Sequence, residues 1–280
     1  MPELPEVETI VRGLAPLVRG RRIEAVWWSG QGLHLGRKVD VRGLRAVAVG
    51  RAIAGVRRRG KYIVIDVDEG RAGGDAGAGI IIHLGMTGRL RVQPQAATRV
   101  PHTHVVLSLG GGDELRFVDA RRFGWVTPGR PTAGDAALAA LGPDPLTELA
   151  APTLAAALRG ARTPIKAFLL DQRRIAGLGN IYVAEALFRV GAHPATPARR
   201  LAGRADELLA AVRGVLESGI ARRGTTLRDY VDVDGARGDN AAALLVYGRQ
   251  GEPCSRCGTS IRRRVDSGRA TFFCPRCQRR

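Results

Sequence analysis

The protein has 280 residues, with 44 Lys and Arg against 26 Asp and Glu and a formal net charge of +18. This length predicts two or three domains, and the arginine excess indicates a nucleic-acid partner, although a basic membrane-surface protein or a GC-rich genome's use of arginine are alternatives. The absence of an 18-residue apolar run and of a signal peptide excludes an integral membrane protein and predicts a cytoplasmic one.

Residues 1–11 combine a potential nucleophile with the start of a helix. Removal of the initiator methionine would leave Pro2 with a free secondary amine, which can attack an aldehyde carbon and form an iminium. Glu3 follows directly, which brings a carboxyl group close enough for proton transfer. Apolar residues then recur at helical spacing and predict a helix from about Pro5 with one buried face. The alternative is a loose terminus whose Pro and Glu only cap a helix.

The region up to Pro131 contains short apolar runs separated by glycine-rich or polar turns. This pattern predicts an antiparallel β-sandwich or barrel, with a flexible hairpin tip at residues 70–79. The predicted strands are residues 23–28, 46–49, 62–67, 80–84, 104–109, 114–118 and 125–126.

Beyond Pro131 the composition becomes alanine-rich and prolines separate several short helical patterns. These patterns predict a helical region, followed by an Asp- and Gly-rich loop at residues 229–240. The predicted helices are residues 136–141, 153–158, 165–170, 181–190 and 198–221.

All cysteines lie near the end of the chain, as Cys254-x2-Cys257 and Cys274-x2-Cys277. Two such pairs can complete a tetrahedral zinc site, and a cytoplasmic chain favours metal over the alternatives of two disulfides or a redox pair. The residues between the pairs predict a hairpin of strands 261–265 and 270–273, which depends on the metal for its stability.

Three further motifs carry weaker signals. The Gly-rich turn at 177–182 opens a helix and could bind phosphate at its amino end, or serve only as a cap. Lys61, at the start of a strand, is either a site lysine or a residue that protects a sheet edge. Met86 and Phe123 lie in glycine-bounded turns and resemble wedges that enter a base stack, with core packing as the alternative.

Taken together, these motifs resemble those of bacterial formamidopyrimidine-DNA glycosylases over essentially the whole chain. The matching segments, in order, are Pro2-Glu3-Leu4-Pro5-Glu6-Val7-Glu8, Lys61-Tyr62, His83-Leu84-Gly85-Met86, Arg121-Arg122-Phe123-Gly124, Gly177-Leu178-Gly179-Asn180-Ile181-Tyr182, Val246-Tyr247-Gly248-Arg249 and the cysteine tail. The resemblance implies an α+β multidomain fold: an N-terminal helix with an antiparallel β-sandwich (1–131), a helical helix–two-turn–helix domain (132–245) and a C-terminal β-hairpin zinc finger (246–280).

The resemblance also implies a base-excision repair enzyme, a glycosylase with AP-lyase activity on oxidised or ring-opened purines. It makes Pro2 the nucleophile at the sugar C1′ and Glu3 the acid that protonates the opening sugar. Lys61 corresponds to the lysine linked to β-elimination, and Arg269 to the arginine linked to δ-elimination. The implied DNA contacts are His102, Arg121, Arg162, Lys166, Asn180 and Tyr247, and the implied fillers of the gap left by the everted nucleotide are Met86, Arg121 and Phe123.

The same resemblance implies one structural Zn2+ and double-stranded DNA, carrying a damaged base or an abasic site, as the partner. It further implies a monomer that is cytoplasmic and nucleoid-associated. Two alternatives are an endonuclease-VIII-like glycosylase for oxidised pyrimidines and a non-catalytic protein that binds damaged DNA. Intact Pro2, Glu3 and Lys61 argue against the second of these.

The sequence departs from the family pattern at two places. Asp119-Ala120-Arg121 replaces the usual Asp-Pro-Arg, and Asp239 and Asn240 replace an aromatic pair in a loop that covers the flipped base in the family. We therefore expect weaker capping of the base and reduced selectivity among damaged bases.

Overall fold

The computed structural model describes residues 1–34, 36–68, 78–129 and 136–279. They form two compact units. Unit 1 contains residues 1–139 together with the segment 223–238, and unit 2 contains residues 140–222 and 239–280. The predicted boundary at 131 and 132 and most of the predicted hairpin tip at 70–79 lie outside the described residues. The division into three domains, with boundaries at 131/132 and 245/246, stays a prediction.

Unit 1 begins with helix α1, Leu4–Val18, as expected from the apolar spacing. Pro5 is tolerated in the first turn because the amide hydrogen that it lacks has no partner there. The predicted apolar face is buried and enters the main core of the unit.

Two four-stranded antiparallel sheets share this core. The strands are β1 (Ile23–Trp28), β2 (Ile53–Arg59), β3 (Tyr62–Val67), β4 (Gly79–His83), β5 (Arg89–Pro94), β6 (Thr103–Leu109), β7 (Asp113–Val118) and β8 (Trp125–Gly129). One sheet has the order β1-β6-β7-β5 and the other β2-β3-β4-β8. The arrangement confirms the predicted sandwich.

Three details of unit 1 differ from the sequence-based expectation. Residues 46–49 are not a strand, because they fall largely within helix α2 (Val41–Ala48). Asp40 caps that helix by accepting a hydrogen bond from the Gly43 amide at 2.8 Å, and Leu44 and Ala48 bury one face. Strands β2 and β5 were not predicted. Both are edge strands rich in arginine, so the alternation of apolar residues is weak.

The remaining helices are α3 (Ala136–Ala139), α4 (Ala151–Arg159), α5 (Ile165–Leu170), α6 (Asn180–Arg189) and α7 (Ala205–Ala221). The helix expected at 198–221 is divided, because Ala198–Arg204 forms a 3-10 helix before α7. A second short 3-10 helix covers Asn240–Ala243. No helix among the described residues is long and apolar enough to span a bilayer.

The chain ends in the predicted hairpin, with strands β9 (Arg262–Asp266) and β10 (Arg269–Phe273) paired antiparallel. A small core joins this hairpin to α6 within unit 2. Ala184 and Phe188 of the helix pack with Ile261, Phe272 and Cys274 of the hairpin.

Candidate functional site

The amino terminus is held in place by a buried carboxylate. Pro2 and Glu3 are buried, whereas Met1 is exposed. Glu6, only 1% exposed, accepts a hydrogen bond from the Glu3 amide at 2.8 Å through Oε2. Its other oxygen accepts a bond from the Thr225 amide at 2.7 Å. The predicted nucleophile and its neighbouring acid are thus anchored at the start of α1.

Lys61 lies in the turn between β2 and β3 and is 7% exposed. Its charge acts on His83, a residue that the sequence interpretation did not assign to the site. Burial, helped by the positive charges of Lys61, His34 and the chain's amino terminus, lowers the pKa of His83 to about 4. His83 Nδ1 accepts a hydrogen bond from the Gly85 amide at 3.1 Å, which leaves the ring hydrogen of the neutral imidazole on Nε2.

The three predicted gap-filling residues lie in two adjoining turns of unit 1. Met86 is 40% exposed, and the Arg121 guanidinium stacks over the Phe123 ring at 4.9 Å. Gly85 has a positive φ of 61°, and a Cβ atom there would lie 2.4 Å from the Gly124 nitrogen. The turn carrying Met86 therefore touches the turn carrying Arg121 and Phe123, backbone against backbone.

His102, a predicted DNA contact, is exposed and has an unusual positive φ of 65°. It lines a cavity of about 490 Å³ with Ser29, His104 and Arg122. The cavity adjoins the Arg121 turn and brings the exposed side chains of His102 and Arg122 to one surface. Such a surface suits an anionic group.

In unit 2, two predicted DNA contacts converge on one carbonyl group. Lys166, 4% exposed, donates from Nζ to the Ala270 oxygen at 2.8 Å and to Thr271 Oγ1 at 2.6 Å. Asn180, the first residue of α6, donates from Nδ2 to the same Ala270 oxygen at 2.9 Å. Burial lowers the pKa of Lys166 to about 8. Both side chains thereby fix the strand next to Arg269.

Arg269 itself is exposed at the start of β10 and lines a cavity of about 700 Å³ that also contacts Lys166 and Arg264. Arg162 is exposed before α5. The predicted elimination arginine thus lies at a cavity within unit 2 that Lys166 and Arg264 line together with Asp171 and Asp266.

Tyr247 is positioned by Glu185, a second residue missed from the sequence. Glu185, 3% exposed on α6, accepts three backbone hydrogen bonds at 2.9 Å, from Leu245, Val246 and Tyr247. The Tyr247 ring packs against Phe272 of the hairpin at 5.0 Å. A glutamate inside a strongly apolar helix was the available signal, since such a residue needs buried partners.

The four cysteines form one compact cluster, with all Sγ atoms within 4.8 Å of one another. The Cys254–Cys277 and Cys257–Cys274 sulfur pairs are 3.9 and 3.5 Å apart. Zn–S bonds of about 2.3 Å in a tetrahedron give sulfur–sulfur distances of about 3.8 Å. The cluster therefore fits one zinc ion held by Cys254, Cys257, Cys274 and Cys277.

The structure places the predicted site residues in two groups. Unit 1 contains Pro2, Glu3, Lys61, Met86, His102, Arg121 and Phe123, and unit 2 contains Arg162, Lys166, Asn180, Tyr247, Arg269 and the cysteines. In the loop expected to cover the flipped base, Asn240 is 4% exposed, whereas Asp239 is exposed. The expected weaker capping of the base stays a prediction.

Family models match three successive parts of the chain. The formamidopyrimidine-DNA glycosylase N-terminal domain matches residues 1–126, and the H2TH domain of the same family matches residues 141–231. A zinc finger found in FPG and IleRS matches residues 251–280. This last match agrees with the geometry of the four cysteines, which form a zinc-binding site.

Individual relatives match over the full chain. A formamidopyrimidine-DNA glycosylase of Rhizorhabdus wittichii is 48% identical and covers 100% of both chains. The crystal structure of MutM (Fpg) from Thermus thermophilus is 41% identical, with a TM-score of 0.85 over 99% of this chain and 98% of that one. The Lactococcus lactis Fpg in complex with an abasic site containing DNA is 32% identical, with a TM-score of 0.86 over 99% and 100%. The protein is thus a member of the formamidopyrimidine-DNA glycosylase family.

Proposed function

We propose that the protein is a base-excision repair DNA glycosylase with AP-lyase activity that removes oxidised or ring-opened purines from duplex DNA. The family relationship supports glycosylase chemistry on a formamidopyrimidine, and the Lactococcus lactis relative was captured on abasic DNA. The net charge of +18 supports binding to the phosphate backbone.

The amino terminus supplies the covalent chemistry. Once Met1 has been removed, the neutral Pro2 amine attacks C1′, and the bond from C1′ to the damaged base breaks with its electron pair on the base. The proton lost from the Pro2 nitrogen neutralises the departing base, which frees the nitrogen lone pair for the next step. Glu3 donates a proton to the sugar oxygen as the C1′–O4′ bond opens, which leaves an iminium between Pro2 and the sugar. The iminium acidifies the C2′ hydrogen, and loss of that proton expels the 3′ phosphate.

Two cationic side chains support the elimination steps by stabilising phosphate leaving groups. The positive charges of Lys61 and of the amino terminus both act on His83, which supports the assignment of Lys61 to the first elimination. Arg269, on the surface of unit 2, is assigned to the second elimination, at the 5′ phosphate.

The remaining predicted contacts divide between backbone and base stack. His102, Arg162, Lys166, Asn180 and Tyr247 are assigned to the DNA backbone and its support. His102 lines a cavity with Arg122, Lys166 and Asn180 donate hydrogen bonds to the hairpin, and the Tyr247 ring packs against it. Met86, Arg121 and Phe123 fill the space left by the everted nucleotide, which offsets part of the cost of flipping. Zinc, when bound, holds the hairpin that carries Arg269.

The observation that carries the proposal is the fixed amino terminus. Pro2 and Glu3 are buried, and Glu6 anchors the Glu3 backbone at 2.8 Å. The Glu6–Glu3 bond is half of a capping box at the start of α1, and the second bond, from the Thr225 amide, ties this turn to a distant segment. The terminus is thus held from two sides, whereas termini are ordinarily loose.

The test is borohydride trapping on a duplex that contains one abasic site. We expect a covalent protein–DNA adduct, and peptide mapping should place it on the amino-terminal peptide. A preparation that retains Met1 is the matched control, and its trapping should be strongly reduced. An adduct on Lys61, or equal trapping by the Met1-retaining protein, would refute the assignment of Pro2.

The substrate class is tested separately with duplexes that each carry one defined lesion. Faster release of 8-oxoguanine and of ring-opened purines than of oxidised pyrimidines supports the purine assignment. The reverse order would favour the endonuclease-VIII-like alternative, and binding with no cleavage would favour a non-catalytic protein. A monomeric, cytoplasmic and nucleoid-associated state is part of the same proposal.

A further inference from the structure

We propose that Asp119 is the positioning residue that fixes the two gap-filling turns relative to each other before DNA binds. This inference rests on the proposed function, because it concerns how Met86, Arg121 and Phe123 enter the base stack. Asp119 follows strand β7 and is completely buried.

The Asp119 carboxylate bonds to both turns. Its Oδ1 atom accepts from Thr87 Oγ1, which neighbours Met86, and from the Arg121 amide at 3.3 Å. Its Oδ2 atom accepts from the Gly124 amide at 2.8 Å, directly after Phe123. One carboxylate thus contacts the immediate surroundings of all three gap-filling side chains.

The Asp119 backbone is held by two histidines, His104 and His102. His104 Nε2 lies 3.0 Å from the Asp119 oxygen, and since a carbonyl can only accept, the imidazole must donate there. Burial lowers the pKa of His104, and Ser29 Oγ lies 3.1 Å from its Nδ1 atom. The Asp119 amide donates to the His102 oxygen at 3.0 Å.

The chemistry of the group matters as much as its position. The three donors, one hydroxyl and two amides, all point at oxygen atoms that can only accept. An asparagine of the same shape loses one amide bond in either orientation. With its nitrogen in the Oδ2 position, the buried Gly124 amide is left unpaired. With its nitrogen in the Oδ1 position, the Thr87 hydroxyl can turn to accept from it, but the Arg121 amide keeps only its bond to Thr87 Oγ1. Asp119→Asn therefore loosens the turns with little change in volume.

The experiment compares two substrates. In only one of them must the gap-filling side chains enter a base stack. The first is a duplex with 8-oxoguanine opposite cytosine, and the second is a single-stranded oligonucleotide with an abasic site, which has no stack to fill. We expect Asp119→Asn to slow excision from the duplex by about tenfold or more, given the loss of a buried acceptor, while single-strand trapping stays near wild type.

Insertion of the gap-filling side chains is measured with 2-aminopurine placed beside the lesion. The fluorescence of 2-aminopurine changes as the neighbouring bases unstack. The change should be smaller or slower in Asp119→Asn. Thr87→Val is the second variant. It removes the hydroxyl group that donates to Asp119 and that accepts from the Arg121 amide at 3.2 Å, but it leaves the bond from the Gly124 amide to Asp119, so it should give a smaller defect of the same kind. Asp113→Asn, at a surface ion pair with Arg21, is the matched control and should behave as wild type.

An equal loss on both substrates would show that Asp119 acts only in general folding and would overturn the proposal. So would unchanged duplex excision, or an unchanged 2-aminopurine signal, in Asp119→Asn. If Asp119→Asn fails to fold, the same comparison of duplex excision with single-strand trapping is made with Thr87→Val.

Discussion

The side chain of Glu6 accepts a hydrogen bond from the backbone amide of Thr225, 219 residues further along the chain, at 2.7 Å. The same carboxylate accepts from the Glu3 amide. Tyr230 adds a bond from its hydroxyl group to the Glu6 carbonyl oxygen at 3.4 Å, and a Cβ atom on Gly224 would lie 3.0 Å from Glu6 Cγ. Glu6 therefore links the proposed catalytic terminus to the segment 223–238.

Glu6→Gln should release that segment. One of the two amides then faces a nitrogen instead of an oxygen, which costs about 1–3 kcal/mol of folding free energy. We expect faster hydrogen exchange across residues 223–238 and slower borohydride trapping. Glu8→Gln is the control on the same helix, because Glu8 pairs with Arg12 and Arg58 and should leave the exchange unchanged. Equal exchange in both variants would contradict the link.

The low pKa of His83 predicts a pH dependence of stability. Between pH 4 and 6.5 the unfolded chain binds a proton on this imidazole while the folded protein does not, so the free energy of unfolding should rise with pH across this window. The gain is at most about 3 kcal/mol, at 1.4 kcal/mol per pKa unit. His83→Gln should flatten the rise in urea unfolding experiments. A His83 imidazole that titrates near 6.5 by NMR would disprove the explanation.

Lys166→Met should affect the second elimination more than the first. The substitution removes the ammonium that binds the Ala270 carbonyl, next to Arg269, and leaves Asn180 as the remaining side-chain donor to that oxygen among the described residues. We expect the β-elimination product to accumulate at the expense of the β,δ product on gels. Lys38→Met removes the same charge from an exposed position and serves as control. Identical product ratios for the two variants would argue against a positioning role.

Loss of one thiolate should remove the metal. Cys274 is fully buried, and its replacement by serine leaves three ligands for a hairpin whose stability depends on zinc. We expect native mass spectrometry to show one zinc ion in the wild type and none in Cys274→Ser, with DNA binding abolished. The β-sandwich of unit 1 should keep its secondary structure. Active protein without zinc would sink this idea.

Substitution of the exposed Asp239 alone tests whether this loop determines lesion choice. It leaves out Asn240, the other residue that replaces an aromatic one in the family pattern. Asp239→Tyr restores one aromatic side chain, and stacking on a base contributes about 1–3 kcal/mol, or roughly ten- to hundredfold. We expect faster release of 8-oxoguanine and of a ring-opened purine relative to cleavage of a preformed abasic site. If the ratios among the three rates are unchanged in Asp239→Tyr, the loop does not determine selectivity among damaged bases. The buried Asn240 is left intact in this variant.

The sequence allowed prediction of features that depend on local patterns. The helix at Leu4–Val18 and the strand at Tyr62–Val67 follow from apolar periodicity, and the cysteine cluster follows from ligand spacing. Residues 46–49 were predicted wrongly because four small apolar residues fit a strand as well as the end of a helix.

Features that depend on distant contacts could not be predicted in this way. In the sequence, Glu6 is an ordinary acidic residue in a first helical turn, and Glu185 is one charge on an apolar helix. Their roles depend on backbone amides from distant segments, namely residue 225 for Glu6 and residues 245–247 for Glu185, and the sequence does not show that these segments are close. Lys166 was predicted as a DNA contact from the family resemblance alone, and its burial against the hairpin depends on a strand about a hundred residues away.

The return of residues 223–238 to unit 1 has a consequence for how this protein is made. Val233 belongs to the core of that unit, and its side chain would lie 2.6 Å from a Cβ atom placed on Gly13. A ribosome that has released residues 1–139 has therefore not yet supplied the whole unit, and the Glu6 carboxylate still lacks the Thr225 amide. The amino-terminal unit can complete its folding only after the chain up to residue 238 has emerged, so its maturation is coupled to synthesis of residues 140–222 of unit 2.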